Sequence, residues 1–357
     1  MLLAKSRFPI KEILLFGFLP GPVKKFIYRL KGYKIGKKVK LGLGSVICGD
    51  QVSLGDYSEL SFFAIIRGKT IKIGSHVNIG SMTILDTPHL EIGSGTKINE
   101  QVFVGGLQLP DSRLVLGRNC QVMQMTFINP AQSITIGDDT GIGGDSLIFG
   151  HTSWLSRFEG YPVEFAPIEI GNSVSLAWRV FVLPGTKIGD GAVVGANSVV
   201  HRTVPPRCLA VGFPARVVSK YPDFPQEVTG EHKMEILEHI VTEMTDFWVK
   251  SGLACRCAGD RIEVVQPPKG WQGEKVWFMQ VRYDELRGME VLPSDGSLHV
   301  LLSLQEIPPD IRQACEQKKI MWIDIAKKEQ PNYWNDLGEE VAQFLKRYGV
   351  RLFRVPE

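Results

Sequence analysis

Between Ile35 and Val200 an aliphatic residue returns every six positions, a period that neither a helix nor a plain strand can use. The register opens Ile35, Leu41, Ile47; Leu54, Leu60, Ile66, and continues in triplets headed by Ile73, Ile92, Leu116, Ile136, Ile170 and Ile188. Each hexad can hold one short strand and one turn, so three hexads close a triangular coil whose aliphatic residues share one interior. Gly follows the aliphatic residue in many hexads, Gly36, Gly55, Gly143 and Gly195 among them, as a turn without room for a Cβ requires. Small or short residues four positions on, such as Ser45, Val77, Thr83, Ala192 and Ser198, suit a narrow prism. Eight triplets therefore predict a parallel β-helix of about eight coils.

The triplets start 19, 19, 19, 24, 20, 34 and 18 residues apart, so the extra chain falls between Val104 and Leu116 and between Ile148 and Ile170. Loops thrown out of a repeat tend to share a face and to carry function. The larger one holds His151.

Composition narrows the reading. A chain of 357 residues, 44% hydrophobic and with a net charge of only +3, has length for two domains and no charge excess that calls for nucleic acid. Its six cysteines are irregularly spaced in a chain too long to need staples, which predicts reduced thiols and a cytoplasmic protein. The charge is uneven: residues 1–40 hold eleven Lys or Arg against Glu12 alone. Residues 1–34 precede the coil, and their apolar run 13–19 is too short to span a bilayer. After Pro20, Gly21 and Pro22, the residues Val23, Phe26, Ile27 and Leu30 recur at helical spacing among Lys24, Lys25, Arg29 and Lys31. This basic amphipathic helix has two compatible uses: capping the open first coil, or peripheral contact with the inner face of the membrane.

The segments IGDDTGIGGDSLIFGH, EGYPVEFAPIEIGNSVSLAWRVFVLPGTKIGDGAVVGANSVV and VPPRCLAVGFPARVV resemble the hexapeptide-repeat acyltransferases, of the galactoside, maltose and polysaccharide O-acetyltransferase type. The coil pattern covers residues 35–218, and its specific part is 136–218. The resemblance implies a left-handed coil, against the usual right-handed crossover, together with a homotrimer, acetyl-CoA lying along the coil, and a catalytic His in the loop. Acetyl transfer from a thioester to a hydroxyl needs a base that takes the hydroxyl proton and returns one to the leaving thiolate, and an imidazole does both near neutral pH. His151 follows Gly150 three residues past the last aliphatic rung, so the coil fixes its place.

Asp145 stands where sugar acetyltransferases often carry an Asn that meets the acceptor, and Asn129 ends the rung above; either could bond a sugar hydroxyl or orient the imidazole. Glu159 and Glu164 share the loop, where a carboxylate beside His151 would raise its basicity. Relatives often have Trp-Ile-Gly after the loop; this chain has Ser175, Leu176 and Ala177, with Trp178 displaced toward the next face, which bears on the acceptor pocket. Ser175 is one candidate donor to the thioester oxyanion. The small residues Ala177, Gly195 and Ala196 would let pantetheine approach the backbone, and Arg216 matches a position where relatives meet nucleotide phosphates. No metal is expected, since His151 has no second His in its loop. The expected function is acetyl-CoA-dependent O-acetylation of a sugar hydroxyl on a cell-surface polysaccharide or lipid-linked glycan precursor. Transfer to an amine, and a non-catalytic scaffold, are the alternatives.

Beyond residue 220 the period vanishes. Residues 221–357 read as an α/β domain of mixed sheet, with helices near 231–250, 310–317 and 335–348 and strands near 261–265, 275–281, 298–304, 320–325 and 350–355. The tryptophans there read as core, and Trp271 as a loop residue. The domain matches no recognised pattern.

Overall fold

The computed structural model describes residues 9–153, 155–268, 273–284, 286, 292 and 297–355; Trp271 lies outside them. The chain divides into two compact units, Met1–Glu227 and Val228–Glu357. The β-helix thus keeps the short stretch 221–227 that the loss of period assigns to the second domain.

The first unit is a left-handed parallel β-helix with three sheet faces. Face one has eight strands, from Lys34–Ile35 to Lys187–Ile188, and face three has eight, from Val46–Cys48 to Val199–Val200. Face two has ten, because its coil strands are extended by Cys208–Gly212 and Ala215–Lys220, which pair antiparallel with each other. Register places equivalent hexad positions above one another: Leu54 pairs with Ile73, Leu60 with Ile79 and Ile66 with Leu85. Every aliphatic residue of the eight triplets is at most 9% exposed and belongs to one continuous core. Fully burying such side chains stabilises by roughly 1.5–3 kcal/mol each, which is why six-residue spacing outweighs local propensity.

The glycines after the aliphatic residues are needed for close approach. A Cβ on Gly55 would stand 2.4 Å from the backbone of Gly74 in the next coil. The left-handed conformation falls two residues later, on Tyr57, His76, Asp145 and Asn197, with φ of 56–58°. Each costs roughly 1–2 kcal/mol, offset by a corner N–H that donates to the previous coil, as Tyr57 does to the Lys37 carbonyl at 2.9 Å. His76 also stacks on Tyr57, with centroids 4.9 Å apart.

The helix Gly21–Leu30 caps the first coil by turning a cation inward. Lys24 is 1% exposed, and its ammonium donates to the Gly42 carbonyl at 2.7 Å, the Ser45 carbonyl at 3.0 Å and Ser45 Oγ at 3.4 Å. Those acceptors match its three donors. Tyr28 and Tyr33 join the coil core, the Tyr28 hydroxyl accepting from the Ile47 N–H and the Tyr33 hydroxyl donating to the Gly49 carbonyl.

Among the described residues the second unit is a seven-stranded mixed sheet with three α-helices, Gly230–Lys250, Pro309–Gln317 and Asp336–Leu345. Two strands escape the pattern reading: Ala254–Ala258, which is mostly exposed, and the three-residue Glu329–Pro331. Separate apolar clusters include Trp248 and Trp322, both nearly fully buried, whereas Trp334 is exposed. Asp324 is fully buried and accepts from Arg312 at 2.8 Å, from the Ile307 N–H at 2.9 Å and from the Lys327 N–H at 2.8 Å.

Two stability measurements follow. Burial lowers the Lys24 pKa from 10.5 to about 8. Between those values the unfolded chain holds a proton that the folded chain has released, so folding stability rises with pH across that window; Lys24→Met should flatten the rise in urea melts. Arg312→Met strands the buried Asp324 carboxylate and should destabilise the second unit by about 3–5 kcal/mol, seen as a lower denaturation midpoint.

Candidate active site

Both excursions leave the prism at the same corner, where face three hands over to face one. The first follows Phe103–Val104 and the second follows Leu147–Phe149, strands of face three separated by Phe127–Asn129. Asn129 pairs in register with Phe149, two residues before His151. Gly150 anchors the exit: its N–H donates to the Asn129 carbonyl at 2.9 Å, and its carbonyl accepts from the Ala166 N–H at 3.2 Å. A Cβ there would meet Gln132 N at 2.9 Å. His151–Thr152 then pairs antiparallel with Glu164–Phe165, so a short hairpin base holds the imidazole.

The ring lies nearly parallel to Phe149, with centroids 6.3 Å apart, and to Phe165, 5.7 Å apart. Its Nδ1 is buried and has no hydrogen-bond partner among the described residues. Desolvation pulls its pKa below the ordinary 6.5, so the imidazole is neutral at pH 7. Phe149 is itself one rung of an aromatic column on face three, running Phe103, Phe127, Phe149, Phe181 in edge-to-face contacts of 5.0–5.5 Å. That column escaped the sequence reading because its residues share no one place in the hexad: Phe103, Phe127 and Phe181 sit one position before an inward aliphatic, and Phe149 one position after Ile148. So did Gly106: at φ 106° it presses on the Asn129 side chain, where a Cβ would stand 2.4 Å from Nδ2. The Asn129 Oδ1 is buried and unbonded among the described residues.

The other candidates separate into groups. Glu164 pairs with Thr152 across the hairpin and is exposed, and the residue opposite His151 is Phe165. Asp145 lies at the corner between faces two and three, 3.5 Å from the Arg179 guanidinium. Trp178 sits at that corner one coil later, half-exposed, over Gly144, where a Cβ would stand 2.5 Å from the indole. Within one chain, then, Asn129 flanks the His151 strand, while Asp145 and Trp178 occupy the far end of the same face. Ser175 is an exposed residue of a face-two strand, and Ala177, Gly195 and Ala196 follow at the adjoining corner on successive coils. Arg216 is exposed on the last strand, opposite Val211. No cluster of His, Cys, Asp and Glu suited to a metal occurs among the described residues.

The phenyl ring of Phe165 shields one face of the imidazole. Phe165→Ala should therefore raise the His151 pKa toward 6.5, read from an NMR titration of the ring protons; an unchanged pKa would locate the desolvation elsewhere.

No family profile matches the chain. Among curated proteins, an O-acetyl transferase assigned to lipopolysaccharide biosynthesis in Escherichia coli is 39% identical over 114 residues, 29% of this chain and 58% of that protein. The galactoside O-acetyltransferase of Escherichia coli is 32% identical over 114 residues, 31% of this chain and 56% of that protein. The chain thus spans somewhat over half the length of these relatives. A solved hexapeptide-repeat acetyltransferase of Vibrio cholerae is 21% identical, with a TM-score of 0.29 over 59% of this chain and 85% of that one, too slight a likeness to bear on the site. Over the stretch shared with the two curated relatives, the β-helical part of the chain is similar to these O-acetyltransferases.

Proposed function

We propose that the chain is an acetyl-CoA-dependent O-acetyltransferase acting on a sugar hydroxyl of a cell-surface polysaccharide or lipid-linked glycan precursor. The observation that carries this reading is His151: a neutral, desolvated imidazole held by a hairpin base at the corner where both excursions leave the coil. The names of the curated relatives, an O-acetyl transferase of lipopolysaccharide biosynthesis and a galactoside O-acetyltransferase, support the acceptor class.

In this mechanism Nδ1 carries the ring proton and Nε2 is the base. Nε2 takes the acceptor hydroxyl proton as that oxygen bonds to the thioester carbonyl carbon. The resulting oxyanion collapses, the carbon–sulfur bond breaks, and the imidazolium returns the proton to the thiolate. The products are an acetyl ester and free coenzyme A. The proton on Nδ1 needs an acceptor that this chain does not offer among its described residues, and a buried unpaired donor costs about 1–3 kcal/mol. A homotrimer answers this, since a second subunit packed beside face three could supply that acceptor and bring its own corner residues to the imidazole. Asn129, Asp145, Glu164 and Trp178 are then acceptor-side residues contributed by more than one chain. Ser175, Ala177, Gly195 and Ala196 line the donor track, with Arg216 at the phosphates. The reaction belongs in the cytoplasm, where acetyl-CoA is supplied.

A thiol-release assay over a panel of galactosides, glucosides and amino sugars tests the reading. Acetyl-CoA turnover should depend on a sugar hydroxyl, and His151→Ala should lower kcat by about 10²- to 10⁴-fold. The acid limb of kcat/KM should fall below pH 6.5, because the imidazole protonates only below its ordinary value. Undiminished turnover in His151→Ala would remove the mechanism. Release that requires an amine would move the chain to N-acetylation.

A further inference from the structure

The capping helix is inside out. A helix packed on a soluble core turns its apolar stripe inward, yet Gly21–Leu30 buries Lys24 and Tyr28 and leaves Val23 42%, Phe26 64% and Leu30 73% exposed. Those three residues, at i, i+3 and i+7, form one stripe. The stretch before it continues the pattern: Ile10 is 59%, Leu14 68%, Leu15 66% and Phe18 52% exposed. Scattered apolar residues on a surface need no explanation. Seven within 21 residues, at the end of the prism the helix closes, do.

The charge around them says what covers them. Lys11, Arg29 and Lys31 are exposed and Lys25 half-exposed between the apolar residues, and Lys34, Lys37, Lys38 and Lys40 are exposed in the first coil beside them. Glu12 is the one acidic residue in positions 1–40. The Lys31 ammonium sits 4.3 Å from the centroid of Phe16, which ties the helix to the preceding segment. A second copy of this surface would bring like charges together, a juxtaposition that costs several kcal/mol. An anionic lipid surface satisfies both features, since apolar side chains enter the headgroup and acyl boundary while lysines meet phosphates. No helix among the described residues is long and apolar enough to cross a membrane, so the contact is peripheral.

We propose that residues 10–31 dock the capped end of the β-helix onto an anionic phospholipid bilayer. The hydrogen bonds of Lys24 make this possible. By fixing the inward face of the helix with a cation and a tyrosine, they free the apolar stripe for the lipid. The proposal does not depend on which acceptor the enzyme uses.

Co-sedimentation of the full chain with vesicles tests it. The protein should pellet with vesicles of phosphatidylglycerol and phosphatidylcholine, less with phosphatidylcholine alone, and less as salt is raised. The double variant Phe26→Glu, Leu30→Glu should lower partitioning at least about tenfold, with the melting transition and gel-filtration volume unchanged because both side chains face solvent. Failure of the wild-type chain to pellet, or equal pelleting of the variant, would overturn the proposal. So would a variant of altered oligomeric size, which would make the patch a subunit contact.

Discussion

The structure depends on the stacking of one coil directly on the next. Because each strand is only two to four residues long, none could persist alone; its partners lie 18 to 34 residues away in sequence, directly above and below. That arrangement forces every hexad to the same geometry. It explains the inward aliphatic at one position and the absent Cβ at the next, where Gly143 would otherwise carry a Cβ 2.5 Å from the backbone of Ala177. A prism built this way is stiff, and its stiffness gives a loop residue such as His151 a defined position.

The same geometry accounts for where variation is tolerated. Chain can leave the prism only at a corner, since any insertion within a strand would break register with two neighbours. Both long excursions use the corner between faces three and one, and they straddle the strand ending in Asn129. The result is a wall of aromatic rings on face three with an imidazole at its edge. Phe149 and Phe165 flank the ring, and its burial lowers the pKa. Within one chain Glu164 pairs with Thr152, and Phe165 is the residue opposite His151.

The two ends of the first unit solve a common difficulty, an open stack of unpaired strands. At one end a helix closes the prism with Lys24, Tyr28 and Tyr33; at the other, Val204 bridges to Ile188 and the hairpin of Cys208–Gly212 with Ala215–Lys220 extends face two. The first closure uses polar bonds, which leaves its apolar residues unspent. The second places Arg216 on the outermost strand.

The amino-acid sequence alone determined the coil, because a six-residue aliphatic period has one efficient way to bury itself, and it determined most elements of the second unit, whose helices carry apolar stripes such as Leu237, Ile240, Val241 and Met244. It also singled out His151, since loop excess is visible as a break in spacing. Only the tertiary structure decided which face of the helix Gly21–Leu30 turns inward: periodicity finds a stripe but does not reveal that the site it covers presents the carbonyls of Gly42 and Ser45 to a lysine. Likewise, only folding brought Phe165 and Phe149 to the imidazole and Gly106 to Asn129. The contacts of Phe165 with His151 and of Gly106 with Asn129 join residues whose separation in sequence is set by excursion length, and no local pattern encodes it.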